Sequence, residues 1–79
     1  MIESATDYLS LGNFRKMIYA VVKHQKKGDE PLNAKALYDS FKENNYLKFE
    51  MNRDPDIHYT IECKLFYWNK IKVTYVKEF

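Results

Sequence analysis

From Ser10 onward, Leu11, Phe14, Ile18, Val21, Val22 and Gln25 recur at helical spacing. At 100° per residue they fall on one arc, with Met17 at its edge. Ser10 or Asn13 can cap the start, and Gly28 supplies a left-handed residue to end it. The first helix is therefore expected over residues 11–27. After the turn Asp29-Glu30-Pro31, Asn33 is a good N-cap for a second helix over 34–44. Leu32 and Leu37 flank that cap as a hydrophobic staple; Ala34, Leu37, Tyr38 and Phe41 make a buried stripe, and Asn44-Asn45 end it.

The period then changes from 3.6 to 2. Leu47, Phe49 and Met51 alternate with Lys48 and Glu50; Ile57, Tyr59, Ile61, Cys63, Leu65 and Tyr67 alternate with His58, Thr60, Glu62 and Lys64; Ile71, Val73 and Tyr75 alternate with Lys72 and Thr74. Three strands are expected. Directly opposed residues must share a face, so a five-residue first loop pairs Met51 with Ile57, and a three-residue second loop, or a bulge, pairs Tyr67 with Ile71. Every odd position then lands on the buried face. Residues 1–10 lack an apolar pattern, and Ser4, Thr6 and Asp7 read as helix-start chemistry, so this segment is expected to be an arm or a helical turn. The fold class predicted is α+β: one domain over 1–79, two helices packed on one face of a three-stranded antiparallel meander (ααβββ).

Composition narrows the function classes. A chain of 79 residues hides only about 60% of its unfolded surface, so nearly every large apolar side chain is expected in one core. A single Cys63 makes no intramolecular disulfide, which points to a reducing, cytoplasmic setting. The longest apolar run, Met17 to Val22, is far short of the roughly 20 residues of a membrane span. Eleven of the 13 basic residues are Lys, and Asn, Tyr and Ile are plentiful, a bias in keeping with an AT-rich genome and with short chains of phages and mobile elements.

Two glycines are too few for a phosphate-cradling loop. One Cys with His24 and His58 lacks zinc spacing, and His58 faces away from Cys63 on the same strand, so no nucleophile-base pair forms. Asp54 and Asp56 beside Pro55 read as turn chemistry rather than as cation ligands. His58 is expected opposite Glu50 as a cross-strand pair. No cofactor, metal or catalytic residue is expected, and the chain reads as a non-enzyme.

Two surfaces remain. Phe66 and Trp68 stand among the even positions of the sheet with Lys64, Lys70 and Lys72 around them. An aromatic patch rimmed by Lys anchors a protein interface or stacks unpaired bases. On the first helix, Arg15, Lys16, Lys23, Lys26 and Lys27 span an arc of about 120° centred on Tyr19, a face for phosphates or an acidic protein. The order helix, helix, hairpin is that of winged-helix DNA readers, but Lys35, Asp39, Lys42 and Glu43 on the second helix offer no Arg or Gln for base edges. The primary expectation is a small regulator or inhibitor that binds a larger cytoplasmic protein, with a homodimer through the edge of the last strand as one mode. The alternative is a small nucleic-acid-binding module; neither involves a membrane.

Overall fold

The computed structural model describes residues 1–53 and 55–79. Its elements run β1 (Ile2–Leu9), α1 (Leu11–Lys23), α2 (Ala34–Asn44), β2 (Tyr46–Arg53), β3 (Ile57–Tyr67) and β4 (Lys70–Glu78). The α+β class and the antiparallel sheet agree with the sequence. The strand number does not: the sheet has four strands in the order β1-β4-β3-β2. The segment expected to be an arm pairs along its whole length with β4, from Ile2 opposite Glu78 to Leu9 opposite Ile71. Its odd and even residues are both mostly exposed, so burial imposed no alternation to betray the strand.

The two helices follow their caps. Ser10 Oγ accepts the Asn13 N–H at 3.3 Å, and Asn33 Oδ1 accepts that of Ala36 at 3.0 Å. Asn45 ends α2 in the left-handed region at φ 53°, its N–H donating to the Phe41 carbonyl. The first helix stops at Lys23, four residues short of expectation. Gln25, read as part of the apolar arc, is instead a clamp. Its backbone bridges to Arg53, its amide donates to the Glu30 carbonyl at 2.7 Å, and its Oε1 accepts the Leu32 N–H at 2.9 Å. The Lys26 N–H then donates to Asn52 at 2.7 Å, stitching the loop to the edge of β2. These bonds outcompete another helical turn.

Both hairpin registers differ from expectation by two residues. Met51 faces Tyr59, not Ile57, and Leu65 faces Ile71, not Val73. A shift of two preserves the faces, so Leu47, Phe49, Met51, Tyr59, Ile61, Cys63, Ile71 and Val73 are still buried. They meet Phe14 and Ile18 of α1 and Phe41 of α2, with the Phe14 and Phe41 rings 4.6 Å apart. The expected loop around Asp54 is shorter than proposed, since Asn52 and Arg53 belong to β2; Asp54 itself lies outside the described residues. His58 faces Asn52 in register, its Nδ1 2.9 Å from Asn52 Oδ1, while Nε2 still reaches Glu50 at 3.3 Å.

The core takes fewer large side chains than the length argument demanded. Ile2, Tyr8, Tyr46, Leu65, Phe66, Tyr67, Trp68 and Phe79 are all exposed. Leu65 and Tyr67, expected on the buried face, belong to a β3-β4 tip that the helices leave uncovered, and a register irregularity separates them.

Candidate functional site

At the β3-β4 tip the odd-even logic of the strand breaks. Leu65 pairs with Ile71, but Tyr67 pairs with Lys70, so Phe66 is the extra residue of a bulge and has no partner of its own. Trp68 follows at φ 49°, in the left-handed region, and is 78% exposed. A bulky L-residue there costs about 1–2 kcal/mol relative to ordinary backbone. The sequence pattern suggested a bulge near this point, without locating it.

The bulge and the turn send the aromatic side chains around the tip in different directions. Phe66 meets Tyr8 of β1, edge to face. Trp68 lies toward the helices, where it borders a recess of about 220 Å³ with Leu11, Phe41, Leu65 and Ile71. Tyr67 stands between them, its ring 6.1 Å from Trp68. Phe66 and Trp68 therefore do not share a face, contrary to expectation.

The lysines also fall differently from the proposed arrangement. Lys72 lies opposite Lys64, not opposite Phe66, and Tyr46 and Tyr8 complete the row Tyr46-Lys64-Lys72-Tyr8 across all four strands. Like charges directly opposed destabilise a sheet. Lys64 is relieved by Glu62 at 3.6 Å, while Lys72 makes no salt bridge among the described residues. Glu62 also accepts the Tyr46 hydroxyl at 2.9 Å, which holds its carboxyl below the usual range and raises the Tyr46 phenol. Lys70 lies at the start of β4, exposed beside the turn.

The second candidate surface is smaller than the sequence implied. Arg15, Lys16 and Lys23 remain on α1 around Tyr19, with the Arg15 guanidinium 4.7 Å from the Tyr19 ring centroid. Lys26 and Lys27 lie beyond the helix end, and the Lys26 ammonium pairs with Asp56. A face of five cations becomes one of three. Cys63, by contrast, is where a small apolar residue would be: fully buried, its thiol pushed up to about 12 by burial, with Glu62 adding to the effect.

The β4 edge, expected to be open for dimerisation, is covered by β1; β1 itself is now an edge strand. Sequence reasoning missed Tyr8 and Tyr46, the two tyrosines that flank the lysine pair. Tyr8 was hidden by the misread of the first strand, and Tyr46 sits one residue before the alternation begins. Among the described residues no group of three His, Cys, Asp or Glu side chains is placed to hold a metal ion, and no helix is long and apolar enough to cross a membrane. No family model matches this sequence, and comparison with curated proteins and with solved structures finds no significant match.

Proposed function

We propose that this chain is a small non-enzymatic regulator or inhibitor that works in the cytoplasm by inserting its β3-β4 tip into a concave, acidic surface of a larger protein. The observation that carries this reading is Trp68: a large aromatic side chain in left-handed backbone, projecting into solvent, where Gly or Asn would relax the turn. Folding gains little from it. Strain and exposure together are characteristic of a residue kept for an interface, and Trp is the residue most often found as a binding hot spot. Leu65, Phe66 and Tyr67 supply apolar contact on the other sides of the tip, and Lys64, Lys70 and Lys72 supply positive charge.

The test is photocrosslinking from position 67 in a cytosolic lysate, followed by affinity measurement with the partner so identified. Trp68→Ala should weaken binding at least 30-fold, equivalent to about 2 kcal/mol, while leaving the melting temperature nearly unchanged. Equal affinity of the variant would end this reading.

The opposed Lys64-Lys72 pair between aromatic residues favours the nucleic-acid module as a second reading. It requires oligonucleotide binding that weakens steeply with salt and is lost in Lys72→Glu. The division of the aromatics between two sides of the tip supports the protein reading over it, because successive bases stack on rings that share one surface.

A further inference from the structure

At the end of the sheet away from the aromatic tip, α1 and the inner face of the sheet enclose a cleft of about 350 Å³. Its floor is apolar: Met51, Ile61 and Tyr75 from three adjacent strands, with Met17 and Val21 of α1 as the wall. The space exists because Ala20 on the helix and Ala5 on β1 stand where larger side chains would close it. Its size lies at the lower end of the range of small-ligand sites, about 300–1,000 Å³.

The two formally charged side chains that line this cleft are both cations. Arg53 and Lys77 line it beside His24, while the carboxylates Glu3 and Asp7 flank Ala5 on the same side of β1 without lining the cleft. Arg53 and Lys77 converge on one residue. The Arg53 Nη1 lies 3.4 Å from the Tyr59 hydroxyl, and the Lys77 ammonium lies 5.7 Å from the centroid of the same ring. Neither cation makes a salt bridge among the described residues, although Glu3 faces Lys77 in the strand register. Arg53 is further held by the backbone bridge to Gln25, so its placement is built into the loop clamp.

We propose that this cleft binds a monoanionic amphiphile, a medium-chain carboxylate whose alkyl tail lies on the Met51-Ile61-Tyr75 floor and whose head group is held by Arg53 and Lys77. The apolar lining supplies affinity by burial, and Lys77 over the Tyr59 ring with Arg53 at its hydroxyl selects the carboxylate. The site is separate from the aromatic tip and does not depend on the function assigned there.

The test is titration of the full ¹⁵N-labelled chain with hexanoate, octanoate and decanoate, each below its micelle concentration, with decanol and decylamine as head-group controls. Affinity should rise by up to about fourfold per methylene until the cleft is full, with the largest shifts at Ala5, Ala20, Val21 and Lys77. Decanoate should bind at least tenfold tighter than decanol, and decylamine weakest. Lys77→Gln and Arg53→Gln should each cut the decanoate preference severalfold while leaving decanol binding unchanged. Ala20→Phe, at an exposed helix position that tolerates the change, should abolish both. The proposal fails if no saturable binding occurs at millimolar ligand, if the three head groups bind alike, or if the shifts map to the aromatic tip.

Discussion

Tyr8 and Phe66 meet edge to face, ring centroids 5.0 Å apart at 62°, although β4 lies between their strands. Phe66 can reach across because it is the extra residue of the bulge, without a partner of its own on β4. A double-mutant cycle with Tyr8→Ala and Phe66→Ala should show a coupling of about 0.5–1.5 kcal/mol in chemical denaturation. Additive losses would mean that the two rings are merely neighbours.

Trp68→Gly should raise stability by about 1 kcal/mol, since it relieves left-handed strain and removes no core contact. Thermal melting checks the sign. A destabilised variant would show that the indole packs on its recess more firmly than its exposure implies.

Phe14→Ala should cost about 3–5 kcal/mol, because Phe14 is fully buried against Phe41 and the site is closed on every side. A chain of 79 residues holds only about 4–12 kcal/mol at about 0.05–0.15 kcal/mol per residue, so the variant should lose at least a quarter of its stability and melt at a markedly lower temperature. Circular dichroism will report it.

Stability should decline in alkali. The Cys63 thiol ordinarily ionises near 9 and is raised to about 12 by burial; the Tyr75 phenol is raised from 10 to about 12 by burial, with Asp7 adding. The unfolded chain therefore releases these protons first. Their contribution is fully present below pH 9 and is lost as pH rises toward 12. Urea midpoints across this range should fall, and in Cys63→Ala the decline should begin about one pH unit later.

Deleting residues 1–9 should unfold or aggregate the protein, because the deletion strips β4 of its partner along eight residue pairs and bares the edge beside Ile71 and Val73. A melt with light scattering distinguishes this from the harmless loss that an arm would give.

What the sequence made legible follows from what burial enforces. Both helices carry an apolar stripe and a side-chain cap, and β2, β3 and β4 keep one face in the core, so their periods are visible. The alternation settles which face each residue takes, but a slip of two residues leaves every face unchanged. Turn geometry decides that offset, and the short β2-β3 connection and the Phe66 bulge both fell outside the pattern. In β1, Glu3, Ala5 and Asp7 share the inner side but stay exposed, and Leu9 alone packs on the core, so the strand shows no apolar alternation. The shortened first helix had a comparable cause, since Gln25 is defined by bonds to Glu30, Leu32 and Arg53 that no local period encodes. At the candidate site, Phe66, Trp68 and the lysines were found as residues left over from the core. Their actual arrangement depends on the bulge and on Tyr8, a strand away.

The pairing of the first strand with the last also orders events during synthesis. The partners of β1 lie from 62 positions downstream, at Leu9 and Ile71, to 76, at Ile2 and Glu78. On the ribosome β1 emerges well before β4 and must wait for it, while α1, α2 and the β2-β3 hairpin can form from closer contacts. The sheet edge closes only once β4 has emerged, so a polypeptide stalled before β4 carries an unpaired strand available to whatever meets it.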